Sequence, residues 1–168
     1  GNELMMKERL NILKFAVEKG LTSFEDNEPF DSQWFYNTIS TGFDLGETEW
    51  TEDFLNTYRT EVEPEKENFL VNIGMALLSF NKGKFGDSLE FISRIRRISS
   101  ASEKFNMKIH QMRVYYELNM AEQAESSADT FRHVLQNDKI ISEFNKVLFR
   151  NFYNFYYKLL NTHRKPGK

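Results

Sequence analysis

Apolar residues recur at steps of three and four along residues 69–98. Phe69, Ile73, Ala76, Leu77 and Phe80 make one series, and Phe85, Leu89, Ile92 and Ile95 make the next. That spacing lays one apolar stripe on each of two helices. Between them stands Lys82-Gly83-Lys84, and glycine reverses the chain without a Cβ penalty in the left-handed region. A lone helical hairpin cannot bury both stripes, so neighbouring copies are expected. Displaced by 36 residues, Phe69 falls on Phe105, Ile73 on Ile109, Ala76 on Met112 and Gly83 on Asn119. Displaced by 37 the other way, Gly83 falls on Gly46, Phe80 on Phe43 and Phe91 on Phe54. Three units therefore share one phase, with turns predicted at 46, 83 and 119.

The pattern predicts about eight helices and an all-α fold in one domain: an opening helix over 1–20, helix pairs over 31–60, 64–98 and 103–137, and a terminal helix over 139–162. Gly20 ends the first helix. Leu21–Phe30, with Asp26, Asn27, Glu28 and Pro29, reads as a loop and the expected place for mobility. Asp31 is placed to cap the next helix, and Pro64 suits a first turn, where its missing N–H has no partner to lose. Ser100-Ala101-Ser102-Glu103 has capping-box spacing, Asn119-Met120-Ala121-Glu122 offers the same arrangement, and Asp138 is placed to cap the last helix.

Asn72-Ile73-Gly74, followed by Gly83-Lys84-Phe85-Gly86-Asp87-Ser88-Leu89-Glu90-Phe91, resembles a tetratricopeptide (TPR) repeat. Tyr115-Tyr116-Glu117-Leu118-Asn119 and Ala121-Glu122-Gln123-Ala124 continue the likeness over roughly 30–137. The resemblance implies a right-handed α-solenoid of antiparallel helix pairs, whose concave face, lined by the first helix of each pair, holds a protein or peptide. On the helix phase that face carries Asn72, Met75 and Ser79, then Lys108, Gln111 and Tyr115, with Phe35 and Thr38 one unit back. Family members that grip a terminal carboxylate place lysine, asparagine and arginine there. Asn72 matches the asparagine, whereas Ser79 stands where a basic residue is expected, so that ligand is not implied. Ser88 and Ala124 fall where paired helices must approach closely.

Composition narrows the chemistry. Cysteine is absent, which excludes disulfides, thiolate metal sites and cysteine nucleophiles. No apolar run is long enough to cross a bilayer and no signal-peptide pattern opens the chain, so a cytoplasmic protein without membrane contact is expected. The net charge of −3 hides a division: residues 1–68 hold 16 acids and 6 bases, residues 69–168 hold 9 and 16. Arg94, Arg96, Arg97, Lys104, Lys108 and Arg113 concentrate the basic half over 94–113. That stretch offers nucleic acid as an alternative partner, although a dedicated binder is normally more basic than a pI of 5.7.

Catalytic patterns are missing. His110, His133 and His163 lie on different predicted helices without ligand spacing. Glu125, Asp129 and His133 stand four apart on one helix, which reads as a solvated face. Neither a phosphate-binding glycine loop nor a nucleophile elbow appears, so the chain reads as non-enzymatic, with no cofactor and no metal. In the terminal helix, Phe144, Leu148, Phe152, Phe155 and Leu159 form a stripe expected to pack on the preceding pair. Phe149, Tyr153, Tyr156 and Leu160 form a second stripe expected to lie open and to mark an interface, for a homodimer or another partner.

Overall fold

The computed structural model describes residues 2–23, 28–98 and 100–164. Eight helices and no strand occur among them: α1 (Asn2–Glu18), α2 (Ser32–Asp44), α3 (Thr48–Tyr58), α4 (Pro64–Asn81), α5 (Phe85–Ser93), α6 (Ala101–Glu117), α7 (Ala121–Asn137) and α8 (Glu143–Arg164). The chain divides into two compact units, residues 1–97 and 98–168. Residues 24–27 of the predicted loop lie outside the described part.

The turns close in one way. Gly20, Gly46 and Gly83 have φ of +68°, +77° and +70°, and Asn119 follows at +55°. At Gly83 the amide donates to the Phe80 carbonyl (3.0 Å) and the Lys84 amide to that of Ser79 (2.8 Å). At Asn119 the amide donates to Tyr116 (3.0 Å) and the Met120 amide to Tyr115 (2.9 Å). This is the paired 5→2 and 6→1 bonding of a Schellman cap, and it satisfies carbonyls the helix end leaves bare.

In the first unit α2 packs on α1, α3 and α4, and α4 also packs on α3 and α5. Asp31 caps α2 by accepting from the Trp34 amide at 2.8 Å. Phe30 fills the space between α2 and α3, its ring meeting Phe35, Phe54 and Tyr58 edge-on at 5.6 Å. Its amide donates to the Glu61 carbonyl (2.7 Å), within an isolated parallel bridge to Val62. Two glycines set the helix spacing. A Cβ on Gly42 would stand 2.1 Å from Thr51 Oγ1, and one on Gly74 would stand 2.9 Å from Leu55 Cδ1. Ser88 is fully buried at the α4–α5 crossing and donates to the Ala76 carbonyl at 2.8 Å, so it is a polar tie as well as a small residue.

The second unit is a bundle of α6, α7 and α8. Its core joins Phe105 and Met112 from α6, Ala124, Ala128 and Phe131 from α7, and Phe149 and Tyr156 from α8. Phe105 stacks on Phe149 with centroids 4.7 Å apart and meets Phe131 edge-on at 5.2 Å. Ala124 is fully buried, as its place at a close approach requires.

Four local expectations are corrected. The helix after Gly83 ends at Ser93, so Arg94–Ile98 are not helical. Asn68 organises that exit, its Oδ1 accepting from the Arg96 amide at 2.9 Å. Ser100 and Glu103 make the full capping box, whereas Asn119 caps nothing because it is the left-handed turn residue, and the N-cap of α7 is Met120 with no side-chain bond. Asp138 holds a turn instead of the last helix, accepting from the Ile140 and Ile141 amides at 2.8 and 3.0 Å. That helix starts later, with Ser142 Oγ accepting from the Asn145 amide at 3.3 Å. Finally, the stripes of α8 are largely exchanged, although Phe152 packs on Phe131 at 6.0 Å as expected and Leu159 is half-buried. Phe149 and Tyr156 are buried and Tyr153 and Leu160 half-buried, while Phe144, Leu148 and Phe155 are exposed. Tertiary partners hold the second stripe inside: Phe149 completes the stack with Phe105, and Tyr156 brings a hydroxyl that reaches the Met112 carbonyl at 2.7 Å.

Candidate functional site

The six residues expected on a ligand face divide between the units. Asn72 and Met75 are half-buried on α4, and the Asn72 amide group donates to the Asn68 carbonyl of its own helix at 2.7 Å. Ser79 is only 7% exposed and is withdrawn from the site. The reason is the position of α4, which packs on three helices and so buries more of its circumference than a one-sided stripe allows. Phe35 and Thr38 are likewise buried, at 0% and 1% exposure, on the side of α2 that meets its neighbours.

Lys108, Gln111 and Tyr115 are brought together. All three are half-buried on α6, and they line a depression of about 350 Å³ whose other wall is Glu122, Gln123, Ser126, Ser127 and Thr130 of α7. The spacing of α6 places them at steps of three and four along one edge. Lys108 Nζ donates to Gln111 Oε1 at 3.0 Å, which fixes both heads at the rim. Thr130 donates to the Ser126 carbonyl at 2.9 Å. Ser127 Oγ is buried at the groove wall with no hydrogen-bond partner, a cost of about 1–3 kcal/mol for an unmade bond.

Two further depressions adjoin this one, one of them reaching α8 at Leu160. One of about 110 Å³ is apolar, lined by Phe105, Phe131 and Val134 beside Lys104, Lys108 and Thr130. The other, of about 230 Å³, lies past Tyr115 and is lined by Tyr116, Asn119, Met120, Ala124 and Leu160 among others. The apolar depression shares Lys108 and Thr130 with the central one, and the other shares Tyr115 with it, so the three adjoin in series along α6. The α7 wall is absent from the sequence expectation. Its signal was the run Gln123-Ala124-Glu125-Ser126-Ser127-Ala128-Asp129-Thr130, small and polar in a chain otherwise rich in aromatic rings.

No family model, curated protein or solved structure matches the chain. The groove must be read from its own chemistry. It offers amide, ammonium and hydroxyl donors, the carboxylates of Glu122 and Glu125, and an apolar notch. The Thr130 hydroxyl is spent on a carbonyl and the Ser127 hydroxyl has no base beside it, so neither is poised as a nucleophile. Among the described residues no three His, Asp or Glu side chains converge as metal ligands. Asp129 and His133 point to solvent from α7, with Asp129 3.4 Å from Arg132.

The basic residues of 94–113 divide as well. Arg94 belongs to the first unit, where it pairs with Glu90 and lies 4.9 Å above the Phe91 ring. Lys104, Lys108 and Arg113 belong to α6. Among the described residues no helix is long and apolar enough to cross a membrane.

Proposed function

We propose that the chain is a non-catalytic, TPR-like helical-repeat module that holds an extended polypeptide segment in the α6–α7 groove. The shape of the groove carries this reading: three adjoining depressions in series along α6 suit a chain better than a compact metabolite. From Lys104 to Glu117 the helix rises roughly 20 Å at about 1.5 Å per residue. That length accommodates about six extended residues at about 3.3 Å each. The middle of the groove supplies donors and acceptors for a peptide backbone through Gln111, Gln123 and Glu122. The Phe105–Phe131–Val134 notch takes one apolar side chain, and Lys104 and Lys108 above it favour an acidic neighbour. Turns at Gly46, Gly83 and Asn119 with common closure support the repeat reading.

The test is selection of a randomised displayed peptide library on the wild type and on Lys108→Glu, Gln111→Ala. The wild type should enrich extended sequences pairing one large apolar residue with an acid. The double variant should bind the enriched peptides at least tenfold more weakly. Equal binding by the two proteins removes the groove from the function.

A further inference from the structure

We infer that the depression past Tyr115 is a site for a basic side chain, arginine or lysine, carried by the bound segment four positions from its large apolar residue. This rests on the reading of the α6–α7 groove as a peptide site. The two ends of the groove differ in charge. Beside the apolar notch the charged lining residues are Lys104 and Lys108. At the other end Glu125 is the only charged residue among those described in the lining, and it is set among Tyr115, Tyr116, Met120 and Leu160. Because the chain folds back at Asn119, Thr130 and Phe131 stand beside Lys104 and Lys108, whereas Ala124 and Glu125 stand beside the two tyrosines.

The chemistry of that end selects a cation. The depression holds about 230 Å³, and Tyr115, Tyr116 and Glu125 are half-buried along it. A partly shielded carboxylate attracts a cation more strongly than one on an open face, and tyrosine rings attract a cation over their faces. Met120, Ala124 and Leu160 supply apolar surface for the methylene stem of arginine or lysine, whose charged head stays near water. Tyr116 and Glu125 already have partners within the chain. A carboxylate has about four lone-pair sites, so it accepts further bonds from a ligand. An acidic side chain would be repelled by Glu125, and an apolar one would desolvate that carboxylate without compensating it.

The spacing follows from α6. Phe105 in the notch and Tyr115 at the mouth of the far depression are ten residues apart, about 15 Å at about 1.5 Å per residue. Four extended residues cover about 13 Å at about 3.3 Å each, and only even steps return a side chain to the same face. Between the two ends lies Ser127 Oγ, buried in the wall of the central depression with no hydrogen-bond partner. A hydroxyl both donates and accepts, so a main chain crossing there supplies the bond that the fold leaves unmade.

The experiment selects a randomised displayed peptide library on the wild type. It then compares an enriched peptide with a copy in which citrulline, a neutral counterpart of arginine, replaces the base. Enriched sequences should place arginine or lysine four positions from the large apolar residue, in either chain direction. The citrulline copy should bind the wild type about tenfold more weakly, and Glu125→Gln should bind the two peptides alike. The citrulline comparison leaves the protein unchanged, so it decides the matter even where Glu125→Gln fails to fold. N-acetylarginine amide, which lacks the apolar anchor, should compete only at a concentration about a hundredfold above that of the peptide. Enriched peptides with an apolar residue and an acid but no base at that spacing overturn the inference and leave the peptide groove standing. So does a citrulline copy that binds equally well, or a Glu125→Gln protein that still prefers the base. Competition by N-acetylarginine amide at the concentration of the peptide overturns it by making the depression a site for a small free cation. A selection that enriches nothing overturns both readings.

Discussion

Tyr156 carries more of the second unit than its place on a surface-rich helix suggests. Its ring is buried, its hydroxyl donates to the Met112 carbonyl at 2.7 Å, and Phe152 stacks beside it at 5.7 Å. Burial, with Tyr116 nearby as a lesser cause, holds the phenol well above its ordinary value of 10.0. The neutral form is the one the fold accepts, so stability from this group is full below pH 10. Above that point the unfolded chain ionises first, and stability falls by up to about 1.4 kcal/mol per pH unit until the folded phenol also ionises. Tyr156→Phe should cost about 0.5–1.5 kcal/mol near neutral pH for the lost bond and should flatten the alkaline limb of a stability–pH curve. Denaturant melts between pH 8 and 12 check both; an equally steep alkaline limb in the variant rules out Tyr156 as its source.

Among the elements, those legible in the sequence are the ones whose signal is local. A turn needing positive φ asks for glycine or asparagine, and all three predicted turns fall at such residues. The capping box at Ser100 needs two side chains three apart and nothing else. What failed depends on tertiary partners. The periodicity of α8 shows two stripes and cannot rank them, because the choice was made by the stack of Phe149 on Phe105 and the reach of Tyr156 to Met112. Ser79 was misplaced for a similar reason: periodicity does not reveal that α4 touches three helices. The α6 side of the groove was readable from helix phase, and the α7 side was not, since small polar residues look like any solvated face. Asn119 marks the boundary between the two kinds of information. At φ +55° it bears a strain glycine would lack, yet glycine also costs unfolded-state entropy. Asn119→Gly should melt at or above the wild-type temperature, and Asn119→Val should lose about 1–2 kcal/mol. A valine variant as stable as the wild type would mean the α6–α7 turn does not need a left-handed residue.

At the scale of the whole molecule, the second unit has a core of its own. Phe105, Met112, Ala124, Phe131, Phe149 and Tyr156 belong to one cluster, and every buried member of it comes from α6, α7, α8 or, for Ile141, the turn between α7 and α8. Its helices also carry their own closures, the capping box at Ser100, the Schellman cap at Asn119 and the Ser142 cap of α8. Short domains bury a smaller share of their surface than long ones, so a bundle of this size is expected to be only marginally stable. It should nevertheless fold alone. A fragment of residues 98–168 should be helical and unfold cooperatively in urea, with a slope at the low end of about 1–3 kcal/mol/M. Tyr156→Phe should flatten the alkaline limb of the fragment as it does in the full chain, because the Met112 carbonyl and the burying rings are all retained. A fragment without a cooperative transition would show that its core is completed by residues before Ile98. A fragment that folds but loses the alkaline effect would place the burial of Tyr156 outside the bundle.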